Sequence, residues 1–335
     1  MKTRRVLRTA LALSLVSSIP ISPATVAETF SDWCPRINLG PVVNSPSSDG
    51  GPAISKDGLS LYFHSNRNGN FDIYVAQRLR KHDPWGPPQN LGPPINSSLV
   101  ETVPALSLDG HWLFFNSFNR TGGLGGFDIW ASYRRDVHDD LAWEPPVNLG
   151  PGVNSTFNDV GPSYFQSDED DDGDEDGEGK ARGGFGSAED HDSGVRLLYF
   201  GSNRPGGPGR NDIYVSVQQP DGSFGAATLV EGELNSATNE VRPSISSNGR
   251  ELFLTRDVSA LLINDNDLWV STRERLSDPW APPVKLGLTV NSDLDDIRAY
   301  IAPDRKTLYF ESGPNEPNGN MDLYVTTRQK NGRCD

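Results

Sequence analysis

Short apolar runs, separated by polar segments rich in Gly and Pro, dominate the hydrophobic pattern of this chain. Runs such as Leu61-Tyr62-Phe63 do not alternate with polar positions, which is typical of a β-strand buried on both faces. The corresponding runs are 113–115, 198–200, 252–254 and 308–310. Dipeptides such as Asp57-Gly58 favour tight hairpin turns. The chain contains 34 Gly and 26 Pro, both of which disfavour long helices. The pattern therefore predicts an all-β protein.

A second pattern shows that the chain is an internal repeat. An Asn-Ser pair precedes each apolar run, and an acid follows five residues after the Asn. The pairs begin at Asn44, Asn96, Asn154, Asn235 and Asn291, and the acids are Asp49, Glu101, Asp159, Glu240 and Asp296. Each unit closes with Asp-[Ile/Leu]-[Tyr/Trp], as at Asp72. The spacings of 52, 58, 81 and 56 residues fit one four-stranded propeller blade per unit.

The two ends of the chain complement each other. The first, second and fourth units end in Trp-x-Pro-Pro, which we assign to an outermost strand because Pro donates no ladder hydrogen bond. The fifth unit stops before this strand, whereas residues 33–40 resemble it. We therefore expect a five-bladed β-propeller whose N-terminal strand completes the last blade. Cys34 and Cys334 then lie on either side of the seam, which predicts a disulfide.

The N-terminus resembles a secretory leader. Basic residues open a short apolar segment that ends in small residues near Ala27, and this segment is too short for a membrane span. We expect a signal peptide over residues 1–27, a propeller over 28–335, no membrane span, and a monomer in the periplasm or outside the cell. The net charge of −15 makes nucleic acid an improbable partner.

Much of the acidity lies in one insertion, about residues 167–194, in the third unit. Residues 168–178 carry nine acids and no base. A solvated loop explains this composition. The alternative is calcium binding, since Asp168, Asp170 and Asp172 resemble the start of an EF-hand loop, although Gly179 stands where that loop needs Glu. Calcium is the one cofactor that the sequence raises, and no other is indicated.

The repeat resembles a known family. Ser-x-Asp-Gly-x2-Leu-Tyr-Phe, Ser-Asn-Arg and Asp-Ile-Tyr are similar to the WD40-like β-propeller repeat of the TolB type, found in cell-envelope proteins. The similarity covers about residues 30–330. It implies a propeller that acts as an interaction platform, with a protein or glycan of the envelope or exterior as its partner.

Candidate site residues lie where the repeats predict one mouth of the channel. The five acids precede the inner strands, and Arg67, Arg120, Arg204 and Arg256 follow the apolar runs. The fifth unit has no such arginine. Each acid either pairs with an arginine and stiffens the blade, or contributes to a ring that binds a cation, sugar or peptide.

Two functions follow from this arrangement. The main expectation is a non-catalytic scaffold, because catalysis by paired carboxyls needs different surroundings for each group and the repeats are nearly identical. The scattered histidines are assigned to turns or the surface, so no catalytic residue is named. The alternative is a glycoside hydrolase-like enzyme that uses carboxylates at the channel mouth.

Overall fold

The computed structural model describes residues 30–167, 194–257, 266–314, 320–330 and 334. Within these ranges the chain forms twenty β-strands and no helix. The strands build five four-stranded antiparallel sheets. The predicted all-β class and the count of five blades are both confirmed.

The strands are numbered along the chain, and each blade takes four. β1 (Ile37–Asn38) comes first, and blade 1 follows with β2 (Asp49–Ile54), β3 (Ser60–Ser65), β4 (Asp72–Gln77) and β5 (Gln89–Asn90). Blade 2 contains β6 (Glu101–Leu106), β7 (Trp112–Phe118), β8 (Phe127–Tyr133) and β9 (Val147–Asn148). Blade 3 contains β10 (Asp159–Gln166), β11 (Arg196–Ser202), β12 (Asp212–Val217) and β13 (Thr228–Leu229). Blade 4 contains β14 (Asn239–Ile245), β15 (Glu251–Asp257), β16 (Asn266–Thr272) and β17 (Val284–Lys285). Blade 5 contains β18 (Asp295–Ile301), β19 (Thr307–Gly313) and β20 (Asp322–Thr327), with β1 as its outer strand.

The blades stand in a closed ring around a central channel. The first strand of each blade is the inner one, and it contacts the inner strand of the next blade. β18 contacts β2, which joins the last blade to the first. Closure matters for function because it brings residues from the two ends of the chain to one wall of the channel.

The N-terminal segment completes blade 5, as the sequence predicts. Ile37 pairs with Val325 and Asn38 with Tyr324 in the register of β1 and β20. Cys34 and Cys334 form the predicted disulfide, with their Cα atoms 5.4 Å apart. Such bridges persist in oxidising compartments, so this bond is consistent with a periplasmic or secreted protein.

The outer strands differ from the prediction. In blade 1 the outer strand is only Gln89–Asn90, after Pro88, so the Trp-x-Pro-Pro segment lies outside the ladder. The reason is that neither proline has an N–H to donate. The tryptophans serve packing instead, since the Arg134 guanidinium lies 4.5 Å from the ring centre of Trp143. A cation held over an indole face is attracted by its electron density.

The core lies between blades, where the middle strands are buried on both faces. Leu61, Tyr62 and Phe63 are all fully buried, as the unbroken apolar run predicts. The repeated Asn ties neighbouring blades together: the Asn96 side chain accepts a hydrogen bond from Ile73 N and donates one to Ile73 O, both at 2.8 Å. Asn44 makes the same pair of bonds to Leu323, across the seam of the ring.

Several sequence-based predictions lie outside the described residues. These are the signal peptide over 1–27, the acidic insertion beyond residue 167, and the calcium ligands Asp168, Asp170 and Asp172. In the ranges that the structure covers, we find no helix with the length and apolar character needed to cross a membrane.

Candidate active site

The five repeated acids are the first polar feature at the inner strands. Three of them begin an inner strand, and the other two, Glu240 and Asp296, are the second residue of one. The inner strands therefore start three or four residues before the repeated Pro position at which the prediction started them. All five carboxylates are buried with no exposed surface. Asp49 accepts hydrogen bonds from Ser45 N at 2.5 Å and Ser45 Oγ at 2.8 Å. The Ser of each Asn-Ser pair thus holds the acid that follows it.

Each acid also meets an arginine of its own blade. The nearest N–O distances are 2.5 Å for Arg67–Asp49, 3.6 Å for Arg120–Glu101, 2.5 Å for Arg204–Asp159 and 2.8 Å for Arg256–Glu240. The guanidinium also lies over the aromatic ring of the closing motif, as Arg67 does over Tyr74, at 5.0 Å from the ring centre. Ser, acid, Arg and aromatic therefore form one buried unit that recurs in every blade.

Blade 5 obtains its arginine from the opposite end of the chain. The sequence predicts no arginine for this blade, but Arg36 of the N-terminal segment lies 2.7 Å from Asp296. It also stacks over Tyr324, 5.0 Å from the ring centre. The prediction missed Arg36 because it compared residues within one repeat, whereas closure supplies this residue from outside the repeat.

The predicted site residues thus come together in pairs within blades. The carboxylates of the ring point to the Ser and Arg of their own junctions, and their buried oxygens take hydrogen bonds there. Binding of a ligand by this ring stays a prediction. In the described ranges, no three His, Cys, Asp or Glu side chains cluster closely enough to hold a metal ion.

The channel wall itself is formed by a different position, at a β-bulge in each inner strand. The register with the second strand shifts there in all five blades. The bulge residues have φ between 51° and 66°, and they are Gly51, Val103, Gly161, Arg242 and Arg298. Positive φ at three residues other than Gly is unusual, and such strain often marks a functional site.

A second variable position lies near the end of the second strand of each blade, against the bulge of the next blade. Here the repeats also differ, with His64, Asn116, Gly201, Thr255 and Glu311. In four junctions this side chain accepts a hydrogen bond from the bulge N–H of the next blade. The acceptors are a carboxylate in Glu311, an imidazole nitrogen in His64, an amide in Asn116 and a hydroxyl in Thr255. One structural task is thus done by chemically different groups.

Glu311 lies at the seam where blade 5 meets blade 1. Its Oε2 accepts a hydrogen bond from Gly51 N at 2.6 Å, and its Oε1 forms an ion pair with Arg298. A Cβ added to Gly50 would collide with this carboxylate and would lie 3.1 Å from His64 Nε2. Glu311 and His64 are therefore neighbours at the junction between blades 5 and 1.

His64 is buried, which corrects the expectation of a surface or turn histidine. Burial lowers its pKa well below 6.5, and the nearby charges of Arg298 and Arg242 lower it further. Since Nδ1 accepts a hydrogen bond from Val103 N at 3.3 Å, the neutral ring carries its proton on Nε2. His64 is thus a neutral donor at the junction between blades.

The two arginines raise the positive potential of the same region. Desolvation lowers the pKa of Arg242 to about 10, with Asp295 acting in the opposite direction. Desolvation also lowers the pKa of Arg298, and the charge of Arg242 adds to this. Asp295 is buried at the start of β18, and its Oδ1 accepts a hydrogen bond from Asn266 N at 3.1 Å. Two acids and one neutral histidine therefore lie close to the two arginines that line the channel.

A small cavity lies in the middle of the channel. Its lining includes Arg242, Arg298, Gly51 and Gly161, so two bulge positions point charge into it and two carry no side chain. The sequence search missed this site because it followed positions where the repeats agree. The sequence does contain a usable signal, which is the set of positions beside a matching motif where the repeats differ from one another.

Comparison with known proteins bears on the architecture. No family model matches the chain, and no curated protein matches it either. Solved structures do match. The arabinanase Arb43A of Bacillus subtilis aligns with a TM-score of 0.55 and 12% identity over 86% of this chain and 96% of that one. The catalytic domain of a Coprinopsis cinerea GH62 α-L-arabinofuranosidase aligns with a TM-score of 0.53 and 13% identity, over 92% of this chain and 100% of that one.

The chain has the five-bladed propeller fold. TolB from Acinetobacter baumannii also matches, with a TM-score of 0.46 and 13% identity over 86% of this chain and 56% of that one. That score is too low to carry an argument, so a relation of the TolB type stays a prediction. At identities of 12–13% the other likenesses show the fold and nothing finer.

These neighbours nevertheless correct the main functional expectation. The sequence led us to expect a non-catalytic scaffold in preference to an enzyme, but five neighbours with TM-scores above 0.5 are named as arabinanases, arabinofuranosidases or a GH62 hydrolase. The expectation was wrong, and its alternative is favoured. The argument behind that expectation considered only the five repeated acids, whose surroundings do match, and it left out Glu311, which stands beside groups that no other blade repeats.

Proposed function

We propose that the protein is a glycoside hydrolase-like enzyme that acts in the central channel. One observation carries the proposal: Glu311 places a buried carboxylate against the channel residues Gly51 and Arg298, at a position where the other blades have His, Asn, Gly and Thr. The neighbours support it, because five-bladed propellers of the same fold are named as arabinanases and arabinofuranosidases.

The reaction needs two carboxyl groups with different surroundings. In most glycoside hydrolases one protonates the leaving oxygen, and the other activates water or attacks the sugar itself. Glu311 and Asp295 supply such a pair. Glu311 is held by Gly51 N and Arg298, whereas Asp295 is held by Asn266. Unequal partners are the condition under which two carboxyls take unequal roles.

Polysaccharides containing L-arabinose are the first substrates to test, because the neighbours are named for them. The purified oxidised protein should release sugars from arabinan or arabinoxylan, measured by anion-exchange chromatography. We expect Glu311→Gln and Asp295→Asn each to lower turnover about 100-fold or more, the usual contribution of an acid or base. Gln keeps an acceptor for Gly51 N, so the fold should survive.

Glu274→Gln is the matched control, because Glu274 is exposed and outside the channel. Its turnover should equal that of the parent protein. Thermal unfolding of all variants separates loss of chemistry from loss of fold. No release of sugar from any polysaccharide, or full activity in Glu311→Gln, would overturn the proposal.

A polymeric substrate fits a protein outside the cytoplasm. We propose export by the predicted signal peptide over residues 1–27, and the Cys34–Cys334 bridge supports an oxidising destination. N-terminal sequencing of the exported protein tests this proposal. The first residue should lie near position 28, and a mature protein that keeps residues 1–27 would overturn it.

A further inference from the structure

Two arginines occupy equivalent positions in neighbouring blades and project into the channel. Arg242 and Arg298 are the bulge residues of β14 and β18, with φ of 56° and 52°. Left-handed backbone costs an ordinary residue about 1–2 kcal/mol relative to glycine. Blades 1 and 3 have glycine at this position, so the bulge itself does not need arginine.

Placing these two charges together is also unfavourable. Both guanidinium groups are withdrawn from water, which lowers the pKa of each, and the charge of Arg242 lowers the pKa of Arg298 further. Two strained, desolvated like charges are an arrangement that structural stability alone does not favour. A bound group of opposite charge offsets both the desolvation and the repulsion.

The charges on the protein compensate only in part. Arg298 pairs with Glu311, but its Nε is buried with no hydrogen-bond partner among the described residues. Arg242 makes no ion pair and donates no side-chain hydrogen bond within the parts of the chain that the structure describes, although Asp295 lies near enough to act on it. His64, the other titratable neighbour, is neutral. Donors therefore remain available beside the cavity.

We propose that Arg242 and Arg298 bind a carboxylate of the saccharide, so that the substrate is a polysaccharide containing uronic acid. The planar guanidinium presents parallel N–H groups that match the two oxygens of a carboxylate. Gly51 and Gly161 line the same cavity and place no side chain in it. This inference rests on the proposed hydrolase function and narrows its substrate class.

Calorimetry with a galacturonate trisaccharide and with its fully methyl-esterified form tests the inference. The two probes differ in charge and share the sugar backbone. Salt near 0.15 M screens the acidic exterior of the protein. We expect the acid form to bind at least 10-fold more tightly than the ester. Equal affinities, or no binding of either probe, would overturn the inference.

Arg242→Gln is the decisive variant, because Arg242 has no described hydrogen-bond or ion-pair partner that the substitution would leave unpaired. It should weaken binding of the acid form at least 10-fold and leave binding of the ester unchanged. Arg250→Gln is the matched control, since Arg250 is exposed at the end of the turn that precedes β15. A preference for the acid form that persists in Arg242→Gln would contradict the assignment.

The Glu311→Gln variant separates this inference from the hydrolase proposal. It removes the charge that competes for Arg298, so binding of the acid trisaccharide should be equal or tighter while hydrolysis is lost. Acid-selective binding by a parent protein that hydrolyses nothing would leave the arginine assignment standing and remove the hydrolase. Hydrolysis of neutral arabinan without any preference for the acid trisaccharide would support the hydrolase and overturn the arginine assignment.

Discussion

The Arg36 guanidinium lies 2.7 Å from the carboxylate of Asp296, although 260 residues separate them in the chain. The same Nη1 also donates to Ser312 Oγ at 3.0 Å. This contact reproduces, across the seam of the ring, the acid–arginine pair that the other four blades build within one repeat. Ring closure therefore completes a buried ion pair as well as a sheet.

Replacing Arg36 should destabilise the whole propeller. Arg36→Gln leaves Asp296 buried without its cation, and loss of one partner of a buried pair costs about 3–5 kcal/mol. Because Arg36 keeps some contact with water, we expect about 2–4 kcal/mol in chemical unfolding. Arg67→Gln, which removes the equivalent partner of Asp49 inside blade 1, is the matched comparison. A loss below about 0.5 kcal/mol would show that the seam does not depend on this pair.

Removing the disulfide should lower stability by about 2–5 kcal/mol, because Cys34 and Cys334 close nearly the whole chain into one loop. The comparison is between the parent protein and the double variant Cys34→Ala/Cys334→Ala in guanidinium unfolding. Reductant should destabilise the parent and leave the double variant unchanged. Equal midpoints for the oxidised and reduced parent would contradict this prediction.

Stability should fall as the pH drops below about 7, because of His64. Its folded-state pKa lies well below 6.5, whereas the unfolded chain takes up the proton near that value. Between the two pKa values the unfolded state binds more protons, so unfolding becomes easier by up to about 1.4 kcal/mol per pH unit. Unfolding curves at several pH values between 5 and 7.5 measure this slope.

His64→Asn should flatten that dependence, since Asn116 fills the same position in blade 2 and bonds the next bulge at 2.8 Å. His82→Asn, at an exposed histidine, is the control and should keep the slope of the parent. The assignment fails if His64→Asn retains the full pH dependence.

Glycine at the bulge of blade 3 should be required for space as well as for φ. Gly161 has φ of 66°, and a Cβ there would lie 2.7 Å from the Arg242 Cα. Gly150 has φ of 70°, and a Cβ there would have no atom within 4 Å. A substitution at Gly150 therefore measures only the cost of the positive φ. We expect Gly150→Ala to lose about 1–2 kcal/mol and Gly161→Ala about 1–3 kcal/mol more. Equal losses in thermal unfolding would show that the inner strands can move apart.

The repeat alone determined most of the fold. The Asn-Ser pair, the acid, the apolar run and the closing aromatic recur because each blade needs the same hydrogen bonds and the same buried strand. The Asn96 side chain, for example, forms two hydrogen bonds with the backbone of Ile73 in the preceding blade. A structural need that repeats along the chain leaves a pattern in the sequence, so the blade count, the completing N-terminal strand and the disulfide were all predictable.

The candidate site depended on the tertiary structure. Glu311 meets Gly51, and Arg36 meets Asp296, only because the ring closes and brings the last blade against the first. Arg242 and Arg298 can be recognised as unusual only in the structure, which shows that they occupy the bulge position that is glycine in blades 1 and 3. A search for agreement between repeats cannot find such residues, since their chemistry lies in how one blade differs from the next. The sequence thus determined the ring, and closure decided which side chains share its channel.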